Sequence, residues 1–246
     1  MDASGLPQIS PAAIDFLERC LSRFPQTTSR DSGDHRGQAD RESLHARIIK
    51  AAVNGRVCVL HRPPIAILTG GAPGSGKSSW LRANAPVALA PATLRIDADD
   101  LRAQLPEYRG WNADVTQVES GVLVDRLLAG IGKPCRYDLL YDGTMSRAGR
   151  YRQLIPELRA MGYRVFLLNV SVPESLSLMR VLERYRATGR YVPRVAIRQY
   201  FATGPATFKT LSGWADGFLQ VDGITGRVIK LGGAPFPQFS PSAPPP

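Results

Sequence analysis

A glycine-rich segment after an apolar stretch carries the clearest chemical signal in the sequence. It reads Gly71-Ala-Pro-Gly-Ser-Gly-Lys-Ser78 and matches the pattern GxxxxGK[ST], which is typical of loops that bind nucleotide phosphates. Such a loop points consecutive backbone N–H groups at phosphate oxygens, which requires glycine where a Cβ would clash or φ is positive. The helix that follows would direct the positive end of its dipole at the same phosphates. The sequence therefore predicts a phosphate-binding loop, or P-loop.

The P-loop also supplies side chains for a nucleotide and a metal ion. Lys77 would bring a positive charge to the β- and γ-phosphates, and the Ser78 hydroxyl would be a ligand of Mg²⁺. The predicted cofactors are therefore ATP and Mg²⁺. The predicted cofactor-binding residues are Gly71, Ala72, Pro73, Gly74, Ser75, Gly76, Lys77, Ser78 and Ser79.

Carboxylates follow the next predicted strand, in the segment Arg95-Ile-Asp-Ala-Asp-Asp-Leu-Arg102. Reacting groups of open α/β sheets lie at the carboxyl ends of strands, so an acid here could accept the proton of a substrate hydroxyl during phosphoryl transfer. The alternative is that Asp97–Asp100 only cap the following helix, since Asp is a good N-cap residue.

Two other acids are candidates on weaker patterns. Asp142 ends an apolar strand in Asp142-Gly-Thr144 and could act on Mg²⁺ or its waters, although a tight turn would use the same residue types. Glu119 lies on a predicted long helix, where it is either a substrate-binding residue or a solvated surface residue.

Four arginines stand close together in the second half of the chain. Arg180 and Arg184 share a helix face, and Arg186 and Arg190 follow. Guanidinium groups stabilise charge on a transferring phosphoryl group. A solvated basic helix face is the alternative, above all for Arg186.

These motifs, in this order and at similar intervals, resemble those of the zeta-toxin family of kinases. The resemblance covers roughly residues 64–193 and rests on GGAPGSGKS, IDADDLR, a Glu on an intervening helix, LLYDGTM and ER…GRYVP. It implies that Asp99 is the catalytic base and that Asp97 lies near the metal. It also implies that Arg184 and Arg190 contact phosphates. The predicted catalytic residues are Asp99, Lys77, Arg184 and Arg190, the metal site is Ser78 and Asp97, and the substrate-binding residues are Asp97, Arg102, Glu119, Asp142, Thr144 and Arg180.

The resemblance further implies that the acceptor is UDP-N-acetylglucosamine, phosphorylated at the 3′-hydroxyl of its amino sugar. Other acceptors stay open: NAD, an antibiotic, a nucleoside or a polynucleotide end. A nucleotide-dependent effector or binding module with little phosphotransfer is a third class. An antitoxin protein is a candidate partner.

The elements that must position these residues form a repeated alternation of strand and helix signals. Buried strands are predicted at 65–69, 93–97, 138–142 and 163–170, and a last strand or hairpin over 218–231. The predicted class is α/β: a P-loop NTPase-type parallel sheet with helices on both faces, plus an N-terminal helical extension. Residues 1–62 form the extension, 63–232 the kinase domain and 233–246 a disordered, proline-rich tail. Within the extension, helices are predicted at 11–23 and 42–54, a flexible linker at 24–41 and a short strand at 57–60.

Composition limits the function classes. The chain has 246 residues with a net charge of +10, but the charge is spread out and forms no like-charge block, so nucleic acid is an unlikely partner. Three scattered cysteines, Cys20, Cys58 and Cys135, predict neither a disulfide framework nor a zinc site. We expect a cytoplasmic protein with a small-molecule substrate and no membrane association.

Overall fold

A six-stranded sheet forms the centre of the computed structural model, which describes residues 9–27, 35–132 and 135–237. The strands are β1 (Ile65–Gly70), β2 (Leu94–Asp97), β3 (Leu139–Asp142), β4 (Arg164–Ser171), β5 (Gly217–Asp222) and β6 (Val228–Gly233). Their order in the sheet is β2-β3-β1-β4-β5-β6, and only the β5–β6 pair is antiparallel among these strands. The predicted mostly parallel sheet and terminal hairpin are confirmed.

Eight α-helices accompany the sheet in the described part of the chain. They are α1 (Pro11–Leu21), α2 (His35–Val53), α3 (Lys77–Asn84), α4 (Ala98–Arg102), α5 (Gln117–Gly130), α6 (Ala148–Ala160), α7 (Glu174–Thr188) and α8 (Arg194–Leu211). None of these helices is long and apolar enough to cross a membrane.

Helices cover both faces of the sheet because the central strands are apolar on both sides. On β1, Leu68 packs with residues of α5 and α6 in the larger core, while its neighbour Ile67 packs with Leu81 of α3 in the smaller one. Successive side chains of a strand point to opposite faces, so a continuous apolar run requires cover on both. The predicted α/β class is thereby confirmed.

The parallel arrangement brings the predicted chemical groups to one edge. β1 lies between β3 and β4, so the P-loop leaves the centre of the sheet. Asp97 at the end of β2 is in register with Asp142 at the end of β3. Ligand sites of open α/β sheets lie outside these carboxyl ends.

The N-terminal helices pack against the rest of the molecule. Ile48 of α2 is buried in the larger core, and Ile14 and Leu21 of α1 form a separate apolar cluster with Tyr191. Helix α2 begins at His35, inside the segment predicted as a linker, and the Thr27 N–H donates to the carbonyl of Val115 (2.7 Å). The linker prediction is therefore wrong at both of its ends, while residues 28–34 lie outside the described ranges.

The segment between α2 and β1 also differs from the prediction. Residues 57–60 form no strand, although the Val59 N–H donates to the carbonyl of Arg136 (2.8 Å). This contact brings Cys58 beside Cys135, and the two are joined in a disulfide across 77 positions of sequence. The expectation of no disulfide is wrong. The two cysteines are far apart in sequence, and no local sequence pattern indicates that they pair.

The beginning of the predicted disordered tail is ordered. Gly233 ends β6, and the Ala234 N–H donates to the carbonyl of Asp216 (2.7 Å). The ring of Phe236 packs edge-on against Trp80 (6.4 Å between centroids) and Phe166 (6.0 Å). The tail prediction is wrong for residues 233–237, and residues 238–246 lie outside the description.

Replacing Phe236 with alanine should destabilise the protein. The half-buried ring closes the smaller core with two edge-to-face contacts, so we expect a loss of about 1–2 kcal/mol in the free energy of unfolding. Urea unfolding measures this. Phe16→Ala is the control, because that ring is 64% exposed on α1. Equal stabilities of the two variants would contradict the packing of the tail.

Candidate active site

The P-loop requires glycine at positions that fix its path. Gly71 has φ 134°, and a Cβ there would lie 2.5 Å from the carbonyl oxygen of Val170. Gly76 has φ 95° and is the N-cap of α3, so the helix begins directly at Lys77. Gly74 also has a positive φ, as the motif predicted. The backbone conformation expected of a phosphate cradle is therefore present.

Neighbouring elements hold this loop in place. The Gly71 N–H donates to the carbonyl of Thr144 (3.3 Å), and the Ser177 hydroxyl of α7 donates to the carbonyl of Pro73 (2.7 Å). Arg180 donates from Nη1 to the carbonyls of Gly74 and Gly223, each at 3.3 Å. Arg180 therefore also braces the loop, a role that the sequence did not indicate.

Lys77 lies over the same loop. Its ammonium group donates to the carbonyls of Gly71 (3.0 Å) and Ala72 (3.1 Å). Burial lowers the pKa of Lys77 from its ordinary value, although Asp142 and Asp97 oppose the effect. The charge of Lys77 is thus partly withdrawn from water, as is favourable for a group that binds phosphate.

The loop opens into one large cleft of about 1010 Å³. Most of the sequence-predicted site residues line it: Pro73, Gly74, Ser75, Gly76, Lys77, Ser78, Ser79, Asp97, Asp99, Arg102, Asp142, Thr144, Arg180, Arg184 and Arg190. Three predicted residues do not line it: Gly71, Ala72 and Glu119. Gly71 and Ala72 still form the base of the loop through their contacts with Lys77.

The sequence left two roles open for the acids Asp97 and Asp99, helix capping and a carboxylate that faces the substrate. In the structure Asp97 has the first role and Asp99 is a candidate for the second. Asp97 caps α4, since its Oδ1 accepts from the Asp99 N–H (2.8 Å). The Asp99 carboxylate points into the cleft, where Oδ1 accepts from Nη1 of Arg102 (2.7 Å) and Oδ2 pairs with Nη2 of Arg190. Asp99 is therefore the acid of this cluster that is free from capping and faces the cleft.

A second acidic group lies at the tips of β2 and β3. Nη2 of Arg95 lies 2.5 Å from Oδ2 of Asp97 and 3.2 Å from Oδ2 of Asp142, and Thr69 donates to Oδ1 of Asp142 (2.9 Å). Burial and the neighbouring Asp142 raise the pKa of Asp97 to about 7. Arg95, which had no predicted role, therefore joins Asp97 at the tip of β2 to Asp142 at the tip of β3.

The donor set here fits Mg²⁺. Ser78 is exposed to the cleft, and Asp97 and Asp142 offer carboxylate oxygens at the same edge, which are the hard ligands that Mg²⁺ prefers. The described residues contain no group of three or more His, Cys, Asp or Glu side chains that could hold a metal. A Mg²⁺ ion would therefore take its other ligands from phosphate and water, as is usual for this ion.

Two arginines of the cleft lining are partly withdrawn from water: Arg184, and Arg190, which pairs with Asp99. Within the described chain, the buried Nε and Nη2 atoms of Arg184 have no hydrogen-bond partner. Burial lowers the pKa of both Arg184 and Arg190 below the ordinary value. A solvated basic face does not describe these two residues, and an anion in the cleft would satisfy the open donors of Arg184.

Both predicted roles of Glu119 are contradicted by its surroundings. Its side chain is completely buried, so it is not a solvated surface residue. Its carboxylate accepts from Nε (2.6 Å) and Nη2 (2.6 Å) of Arg41 and lies 2.7 Å from Nε2 of His45, outside the cleft lining. Glu119 therefore joins α5 to α2, a contact between residues too distant in sequence to be foreseen.

Other cleft residues were missed by the sequence. Arg147 and Arg150 at the start of α6 lie along the wall with Tyr151 and Gln117, and the loop 222–226 after β5 lies near Trp80. They belong to no motif. Arginines at a helix start, directly after Asp142-Gly-Thr144, were the available signal.

Comparison with known proteins gives a consistent result. The zeta toxin family model matches residues 51–225. The Toxin PezT of Streptococcus pneumoniae serotype 4 (strain ATCC BAA-334 / TIGR4) is 29% identical over 155 residues, which are 59% of this chain and 60% of the relative. The chain thus spans less than two thirds of that relative's length.

Two solved structures share the fold. The PezAT chromosomal toxin-antitoxin system of Streptococcus pneumoniae matches with a TM-score of 0.61 and 21% identity, covering 77% of this chain and 80% of that one. The AvrRxo1-ORF1:-ORF2 structure with ATP matches with a TM-score of 0.64 and 16% identity. The match covers 89% of this chain and 70% of that one.

The raised pKa of Asp97 predicts a pH dependence of stability. Between its ordinary value of 3.8 and about 7, the folded state keeps a proton that the unfolded chain loses, so stability falls as pH rises through this window. The side chain of Asn cannot ionise. The free energy of unfolding of Asp97→Asn, relative to that of the wild type, should therefore be higher at about pH 8 than at about pH 5. Urea unfolding at both pH values measures this. Asp40→Asn, at an exposed position on α2, is the control, and a parallel response of both variants would contradict the burial of Asp97.

Breaking the α2–α5 contact should be costly. Arg41→Ala leaves the buried Glu119 carboxylate without its main partner, so we expect a loss of about 3 kcal/mol in the free energy of unfolding. The matched control is Arg126→Ala, which breaks an exposed pair with Glu42 between the same two helices and should cost less than about 1 kcal/mol. Similar losses in both variants would show that Glu119 is not a buried anchor.

Proposed function

The chain belongs to the zeta toxin family, and on that premise we propose that it is a kinase that transfers the γ-phosphate of ATP to a hydroxyl of a small molecule. One observation carries the proposal. Residues 73–78 of the P-loop, Arg184 and Asp99 all line a single cleft. Donor binding, charge stabilisation and proton removal, the three requirements of phosphoryl transfer, would then be met in one place.

The P-loop side of the cleft would bind the donor. Backbone N–H groups of residues 71–76 and the start of α3 are suited to the β- and γ-phosphates, together with the Lys77 ammonium group. Ser78 would hold Mg²⁺, with Asp97 and Asp142 near its waters. When bound, the ion would neutralise charge on the phosphates and orient them.

The arginines and Asp99 would carry out the transfer step. Arg184 and Arg190, which line the cleft, would stabilise negative charge on the γ-phosphoryl group as it moves. Asp99 would accept the proton of the attacking hydroxyl while the new P–O bond forms and the bond to ADP breaks. No covalent enzyme intermediate is required. Because Arg190 pairs with Asp99 in the free protein, a phosphate that attracts Arg190 would also release the base.

The acceptor that we propose is UDP-N-acetylglucosamine, phosphorylated at the 3′-hydroxyl of its amino sugar. Family membership supports this choice. Arg147 and Arg150, the latter paired with Asp125, also line the cleft and suit an acceptor that itself carries phosphate. Thr144 and Arg102 would contact the acceptor.

We also propose an antitoxin protein as partner. The PezAT structure is described as a toxin-antitoxin system, and this chain shares the fold of that structure. Binding of such a partner would be tested by co-purification with the product of a neighbouring gene.

The kinase proposal predicts a large effect of Asp99→Asn. A transfer screen with [γ-³²P]ATP would offer UDP-N-acetylglucosamine, NAD, an aminoglycoside, a nucleoside and an oligonucleotide. We expect label on the nucleotide sugar and at least about a hundredfold lower rate for Asp99→Asn, since the variant lacks the general base. Asp100→Asn is the matched control, because Asp100 lies on the same helix, exposed and outside the cleft.

The screen separates the alternatives. Equal rates of the wild type and Asp99→Asn would remove Asp99 from its role. Label on another acceptor would keep the kinase and change its substrate. ATP binding without transfer to any acceptor would favour a nucleotide-dependent effector module.

A further inference from the structure

Helix α1 lies against the loop that carries Arg190, although it is outside the part of the chain that matches the family model. The loop, residues 189–193, connects α7 to α8. Tyr191 of this loop is 3% exposed and packs in an apolar cluster with Ile14 and Leu21 of α1. The residue next to Arg190 is thus held by a helix that lies outside residues 51–225, the part that the family model matches.

Glu18 makes the polar part of this contact. Its Oε1 accepts from the Tyr191 hydroxyl (2.5 Å) and from the backbone N–H of Arg194 (2.9 Å). Its Oε2 accepts from Nε (3.0 Å) and Nη2 (2.7 Å) of Arg194. One carboxylate therefore binds Tyr191 at the centre of the loop and Arg194 at the start of α8.

The ionised form of Glu18 makes these bonds. Partial burial would raise the pKa of Glu18, but hydrogen bonds from Arg194 and Tyr191 lower it to about 2. Charge-assisted hydrogen bonds of this kind are about twice as strong as neutral ones.

Other restraints on the loop are few within the described residues. The Tyr191 N–H donates to the carbonyl of Gly110 (3.2 Å), and the Arg190 N–H donates to the Thr188 hydroxyl (3.3 Å). Gly189, with φ 73°, ends α7 and permits the chain to turn. Without Glu18, the path of the loop would depend on these contacts, the ion pair of Arg194 with Asp15 of α1, the apolar packing of Tyr191 and the ion pair of Arg190 itself.

We propose that Glu18 is a positioning residue for phosphoryl transfer, which fixes the loop 189–193 through Tyr191 and Arg194 so that Arg190 reaches the cleft. This inference rests on the proposed kinase function. Glu18 does not touch the reacting groups and acts only through the loop. Displacing a catalytic group by about 1 Å can cost up to a hundredfold in rate, so a distant anchor of this kind affects turnover.

A double-mutant cycle tests the proposal. We expect Glu18→Ala to lower kcat about tenfold with less than about a twofold change in the KM for ATP, because Arg190 would act mainly on the transition state. In an Arg190→Ala background, Glu18→Ala should lower kcat no further, since both changes remove the stabilisation of the transition state by Arg190. Glu42→Ala is the matched control. Glu42 lies on the other N-terminal helix, α2, and pairs with Arg126 of α5, so this change should leave kcat unchanged.

Limited proteolysis gives a second readout that does not depend on activity. Trypsin cleavage after Arg190, followed by mass spectrometry of the native protein, should be faster in Glu18→Ala than in the wild type or Glu42→Ala. If Glu18→Ala does not fold, Tyr191→Phe replaces it in the same double-mutant cycle. This change removes only the hydrogen bond from the Tyr191 hydroxyl to Glu18, so we expect a smaller loss of kcat.

The outcomes are distinct. Additive losses in the cycle, or an unchanged kcat in Glu18→Ala, would overturn the positioning role while the kinase function stands. A wild type that binds ATP but phosphorylates no acceptor would overturn the proposed function. In that case unchanged cleavage after Arg190 would also overturn the role of Glu18, and faster cleavage would retain it as the anchor of the loop.

Discussion

Positive charge withdrawn from water at one edge of the sheet is the constraint on which the site depends. Burial lowers the pKa of Lys77, Arg184 and Arg190, which means that the surroundings disfavour their charged forms. Such groups are costly unless an anion compensates them. The protein provides only part of this compensation, through Asp99 for Arg190 and main-chain carbonyls for Lys77. A polyphosphate would supply the remainder, so the fold is arranged around a ligand of that chemistry.

The fold keeps these cations together through contacts between distant segments. The central strand leads into the P-loop, α7 braces it through Ser177 and Arg180, and the tips of β2 and β3 hold two carboxylates beside it. The N-terminal helices add support at the rim. Helix α1 holds the loop of Arg190, and α2 holds α5 through Glu119. These two helices therefore contact segments that carry residues of the cleft.

The sequence predicted the local features well and the long-range ones poorly. The P-loop was recognisable because glycine is required at Gly71 and Gly76, and the buried strands because their apolar runs are continuous. Glu119 was misjudged because its partner Arg41 is 78 positions away, and the Cys58–Cys135 disulfide because its cysteines are 77 positions apart. Periodicity locates a residue on a helix, but it does not show which distant side chain covers that face.

We infer that the cleft binds a polyphosphate through its buried cations. Calorimetric titration of the wild type with ATP, ADP and AMP in the presence of Mg²⁺ tests it directly. The affinity should fall in that order, because each phosphate removed leaves more of the charge of Lys77, Arg184 and Arg190 without a partner. Equal affinities for ATP and AMP, or no binding of ATP, would contradict this account.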